Sequence, residues 1–104
     1  MRVYLSNAFS LQMLDLAAPH TVTVTPVTAA VVAESSFESV VGHQDTANVL
    51  TALLGVEVPM NRASVRLQDG DILYVAQITG GRLPEGATTL PEGFAMTFVR
   101  VDIG

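Results

Sequence analysis

The sequence contains no cysteine, no lysine and no tryptophan, and it has only two histidines. Without cysteine there is neither a disulfide framework nor a thiolate metal site, so stability must come from an apolar core. His20 and His43 stand too far apart in sequence to give a recognisable metal cluster, and neither a metal nor a cofactor is expected. No apolar run approaches the roughly 18 residues needed to cross a bilayer, so no membrane association is expected. The opening MRVYLSNAF alternates and lacks the apolar stretch of a secretory signal, which makes a cytoplasmic protein the economical expectation. Positive charge is scarce: five arginines face ten acidic residues, for a net charge of −5. That field repels a long polyanion, and duplex binding rests on a basic face that releases counterions, so long nucleic acid is not an expected partner. Every side-chain cation apart from the histidines is a planar guanidinium, suited to bidentate contact with phosphate or carboxylate. A small anionic ligand therefore stays open.

What is present is apolar. With 49% hydrophobic residues in 104, the chain can build one core, and residues 1–104 are expected to form a single domain. Residues 2–6 alternate as a first strand. Phe9, Leu11, Met13, Leu14 and Leu16 then suggest a short helix or turn with Ser10 as N-cap, ended by Pro19. Threonine and valine alternate over residues 20–27, the clearest half-buried strand. TAAVVAESS reads as a brief helix and FESVVG as a further strand or turn. Residues 45–54 predict a helix capped by Asp45 or Thr46, with an apolar stripe of Ala47, Leu50, Leu53 and Leu54, and Gly55 fits its end. ASVRLQ and DILYVAQIT, joined at Gln68-Asp69-Gly70-Asp71, read as a hairpin. Residues 80–93 form a loop rich in glycine and proline, and FAMTFVRVD is the last strand. The expected fold is α/β or α+β: a single mixed sheet of about five strands flanked by helices.

Few residues are candidates for chemistry. His43, in VVGHQDTANVL, follows a glycine and precedes a helix start, where unpaired N–H groups and the positive dipole end favour an anion. An imidazole beside a bound phosphate has its cationic form favoured, which suits a general acid. On this stretch alone, a surface histidine next to a helix cap is the simpler reading. Arg82 and Glu85, in GGRLPEG, are either a phosphate-neutralising pair or a surface ion pair in a turn, worth about 0–1 kcal/mol. Asn7 and Ser10 follow the first strand, where open sheets bind ligands and where helices are also capped. Asn61-Arg62 suits an edge or dimer contact as well as a ligand contact. There is no P-loop, no G-x-G-x-x-G, no G-x-S-x-G elbow and no close carboxylate pair. An enzyme built on this sequence would work without metal or cofactor.

Four landmarks stand in one order: YLSNAFS at 4–10, VGHQDT at 41–46, VPMNRASVRL at 58–67 and RLPEG at 82–86. Their series resembles the viral ring nucleases, anti-CRISPR proteins first seen in archaeal viruses with relatives in phages and bacteria. The resemblance implies a two-fold homodimer that binds cyclic tetra-adenylate across its interface and cuts it without metal. It implies His43, Arg82 and Glu85 as catalytic residues and Asn7 and Ser10 as ring contacts. The ligand-binding set it suggests also takes in Asp45, Thr46, Gln77 and Gly81. Where the viral form reads G-H-D-S-T, this chain has G-H-Q-D-T, which adds a carboxylate at Asp45. Gly80-Gly81 stands where those members have glutamine before the arginine. The alternatives are a protein of the same fold that sequesters a cyclic nucleotide uncut, or one that binds protein partners.

Overall fold

Two apolar alternating runs, VYLS and ILYVAQIT, lie side by side at the centre of one sheet. The computed structural model describes residues 1–104. In chain order the elements are β1 (Val3–Ser6), a one-turn 3₁₀ helix (Leu11–Met13), β2 (Val22–Val27), α1 (Ala29–Glu34), β3 (Glu38–Ser39), α2 (Gln44–Leu54), β4 (Ile72–Thr79) and β5 (Ala95–Ile103). The sheet order is β2-β5-β4-β1-β3. Strand β1 runs parallel to both β3 and β4, while β5 runs antiparallel to β4 and to β2. This is the expected single mixed five-stranded α+β sheet. No helix is long and apolar enough to cross a membrane.

Strand alternation sorts the core into two layers. Leu5, Ile72, Tyr74, Ala76 and Phe98 point to the helical face, where they pack with Val32 of α1 and with Ala47, Leu50 and Leu54 of α2. Tyr4, Leu73, Val75, Val101 and Ile103 point the other way, onto Leu14 and Leu67. A fully buried leucine such as Leu50 contributes roughly 1.5–3 kcal/mol by leaving water.

Three expectations are corrected. The hairpin between residues 63–68 and 71–79 does not form. Strand β4 has β1 on one side and β5 on the other, so both its edges are taken. Residues 63–68 instead cross the second face of the sheet outside any strand ladder, with the Leu67 N–H donating to the Met13 carbonyl at 2.7 Å and Val65 and Leu67 packed into its core. The turn itself survives: the Asp71 carboxylate is buried and accepts the N–H groups of Gln68 and Arg2, both at 2.9 Å. The partner of β4 is β5, reached through the loop. The second correction concerns α2, which begins one residue earlier than expected, with His43 rather than Asp45 or Thr46 at the N-cap. The third is its apolar stripe: Ala47, Leu50 and Leu54 are buried as expected, but Val49 is buried as well, whereas Leu53 is 40% exposed. The expected end of the helix is borne out, with Gly55 in the left-handed region (φ 70°), which glycine enters without a Cβ penalty.

Candidate functional site

Because β1, β3 and β4 run parallel, their carboxyl ends share one edge of the sheet. Asn7 follows β1, Gly42-His43 follows β3, and Gly81-Arg82 follows β4. Ligands of open sheets containing parallel strands sit at such edges. A cleft of about 380 Å³ opens there, lined by Asn7, His43, Asp45, Thr46, Arg82 and Gly81, with Ala76, Ile78 and Leu83 as its apolar wall. Tertiary structure thus brings together six of the nine residues selected from the sequence.

His43 occupies the N-cap of α2 in an extended conformation, and its side chain makes no capping bond. Serine, threonine, asparagine or aspartate normally satisfies an N-terminal N–H from this position. Here the imidazole leaves that task undone and is exposed at the cleft. The helix N–H groups remain available to an anion.

The turn carrying His43 is held from three sides. The Asn7 side-chain oxygen accepts the Gly42 N–H at 3.3 Å. Arg62 donates to the Gly42 carbonyl twice, from Nε at 3.2 Å and Nη2 at 3.1 Å. Asn61 donates its Nδ2 to the Ser39 carbonyl in β3 and its backbone N–H to the Val41 carbonyl just beyond it. The sequence offered an edge, dimer or ligand contact for Arg62 and not this internal one, since nothing local marks a contact across 20 residues to a carbonyl. Arg62→Ala is expected to cost about 1 kcal/mol in urea unfolding, the usual worth of such bonds, and to shift the Gly42 and His43 amide resonances. Unmoved resonances would remove the positioning role.

The arginines divide by partner. The Arg100 guanidinium bonds the Asp102 carboxylate at 3.0–3.1 Å, which raises its pKa. A side-chain hydrogen bond to Tyr4 raises that of Arg2. Arg62 is committed to Gly42, and Arg66 lies in a separate groove on the other face. Arg82 enters neither of the ion pairs in the chain, His20–Asp69 and Arg100–Asp102. It is the one guanidinium lining the cleft.

Three selected residues stand elsewhere. Ser10 caps the 3₁₀ helix by accepting the Gln12 N–H at 3.2 Å and lines the opposite groove. Gln77 follows Val75 on the second face by strand alternation and is exposed, while its neighbours Ala76 and Ile78 face the cleft. Glu85 is exposed in the loop and makes no ion pair with Arg82. Ala76, Ile78 and Leu83 were missed. The period of two along β4 already put the first two on one face.

A single mixed sheet with a polar cleft at its parallel carboxyl ends and a helix N-terminus aimed into it defines a class of small α+β domains. The chain belongs to the STIV B116-like family, which it matches over residues 3–97. Its fold is similar to that of B116 of Sulfolobus turreted icosahedral virus, with a TM-score of 0.78 over 98% of this chain and 99% of that one. At 24% identity that likeness is one of fold. Two viral relatives are similar in sequence. "Uncharacterized protein 26" of Sulfolobus islandicus filamentous virus (isolate Iceland/Hveragerdi) is 50% identical over 50 residues, 48% of this chain and 42% of the relative. "Uncharacterized protein ORF117" of Acidianus two-tailed virus is 46% identical over 52 residues, 50% of this chain and 44% of the relative. The matched stretch spans less than half the length of either.

Proposed function

We propose that this protein is a metal-independent ring nuclease that opens cyclic tetra-adenylate and so switches off type III CRISPR signalling. The observation that carries the reading is the uncommitted imidazole of His43 at the N-terminus of α2, sharing a cleft with Arg82 and Asn7. A ribonucleotide ring brings its own nucleophile, the ribose 2′-hydroxyl. Held in line, that oxygen bonds to the adjacent phosphorus as the bond from phosphorus to the 5′-oxygen breaks. The product is a 2′,3′-cyclic phosphate and a free 5′-hydroxyl. The His43 imidazolium donates its proton to the departing 5′-oxygen, and the 2′-hydroxyl proton passes to solvent. Arg82 and the first N–H groups of α2 stabilise charge on the phosphorus-bound oxygens. Glu85, three residues from Arg82 in the same loop, would orient that guanidinium on the ring. A two-fold homodimer would present two such clefts, each with its own Arg82 and helix N-terminus, to a ring with its own symmetry.

The test is incubation of the purified protein with cyclic tetra-adenylate in EDTA, with products resolved by chromatography. Linear di-adenylate ending in 2′,3′-cyclic phosphate is the expected result. An intact ring that raises the melting temperature would replace cleavage with sequestration. An intact ring that changes nothing would favour a protein partner.

A further inference from the structure

An anion cleft with a carboxylate built into its wall does not treat all anions alike. Asp45 lies in the first turn of α2, half-buried, and lines the cleft together with His43, Asn7 and Arg82. Its Oδ2 accepts the Gly86 N–H at 3.2 Å, across 41 residues of sequence. That bond does two things. It ties the 80–93 loop, which also carries Arg82 and Leu83, to the start of the helix. It also fixes the carboxylate at the cleft, since swinging out to solvent would release Gly86.

The charge balance follows. Arg82 supplies one permanent positive charge to the cleft, Asp45 one negative, the His43 imidazolium a second positive charge only while it holds its proton, and the chain has no lysine to add another. The helix N–H groups add about half a charge. That is enough for a singly charged phosphate and little more. A phosphodiester carries one negative charge, whereas a phosphomonoester approaches two above its second pKa of about 6. The additional charge would have to sit against Asp45.

We propose that Asp45 is a specificity-determining residue: held by Gly86, its carboxylate admits singly charged phosphodiesters and disfavours doubly charged phosphomonoesters. The inference rests on the reading of the cleft as a phosphodiester site and adds which class of phosphate it accepts. A ring, whose phosphates are all diesters, fits the rule, as does a product ending in a cyclic phosphate. Free mononucleotides and inorganic phosphate are poor competitors under the same rule.

The experiment uses adenosine 2′,3′-cyclic phosphate and adenosine 3′-phosphate, which share base and sugar and differ by one charge at pH 8. Each is titrated into the full chain and into Asp45→Asn, following the Gly86 amide and the His43 imidazole by NMR. Asparagine keeps an oxygen acceptor for the Gly86 N–H and removes the charge. The wild type should prefer the cyclic phosphate. Both probes should tighten in the variant, adenosine 3′-phosphate by about three-fold more, the worth of one unit charge about 6 Å away in a largely aqueous dielectric. Asp45→Ala removes the acceptor as well, and amide hydrogen exchange at Gly86 should accelerate in Asp45→Ala but not in Asp45→Asn. Equal tightening of both probes in Asp45→Asn overturns the selectivity and leaves the phosphodiester site standing. Unchanged Gly86 exchange in Asp45→Ala overturns the tether. Binding of neither probe to either protein overturns this inference together with the reading of the cleft as a phosphate site.

Discussion

His43→Ala is expected to slow ring opening by about 10²–10⁴-fold, the range for loss of a general acid, while leaving the fold intact. The fold should survive because the imidazole is exposed and makes no capping bond, so α2 loses no hydrogen bond with it. Single-turnover rates with cyclic tetra-adenylate separate this from a binding defect. A general acid lost from the transition state lowers the rate of the chemical step and leaves ring affinity nearly unchanged. The pH profile should change with it. In the wild type the rate should fall with rising pH, since the donor must be protonated, and this limb should vanish in the variant. A His43→Ala protein that retained most of its rate would assign the proton transfer to another group or to water. The surface-histidine reading would then be the correct one.

Gly80→Ala is expected to cost about 3 kcal/mol, at the top of the roughly 1–3 kcal/mol usual for backbone strain, because two penalties coincide. Gly80 has φ +105°, a conformation that L side chains rarely adopt. A Cβ there would also lie 2.7 Å from the Gly93 carbonyl oxygen and 2.9 Å from the Phe94 Cα, both backbone atoms with little room to retreat. Gly80 sits immediately beyond the last β4–β5 pair, Thr79 with Ala95, where the two ends of the loop close on each other. The alanine therefore pries open the base of the loop that carries Arg82. Urea unfolding should show the lost stability, and ring opening should weaken with it. A loss below about 1 kcal/mol would mean that the loop base relaxes freely and that the close approach is incidental.

The same two positions show how unevenly the sequence reveals its structure. The glycine pair at 80–81 marks a turn, yet nothing local says that it closes against Gly93 and Phe94. His43 was legible as a residue between a glycine and a helix start. Its place at the N-cap, with no capping bond, depends on where α2 begins, and Asp45 and Thr46 compete for that position in the sequence. Residues 63–68 show the failure most clearly. Their alternation is real, since Val65 and Leu67 do enter the core, but alternation reports a buried side and says nothing of a hydrogen-bonded partner. Both edges of β4 were already occupied, and no local signal carries that information.

The sequence by itself determined the α+β class, the run of α2 to Gly55, the central alternating strands and the candidates at the ends of β1, β3 and the loop. Each of these is written in a periodicity or in a local preference of the backbone. Tertiary structure alone decided which candidates meet. The parallel alignment of β1, β3 and β4 carries Asn7, His43 and Arg82 to one edge, while the period of two along β4 sends Gln77 to the opposite face. It likewise placed Arg62 on the Gly42 carbonyl and Asp45 on the Gly86 amide, contacts between segments 20 and 41 residues apart. Such contacts are set by strand order and register, which depend on how all the apolar faces can be buried at once.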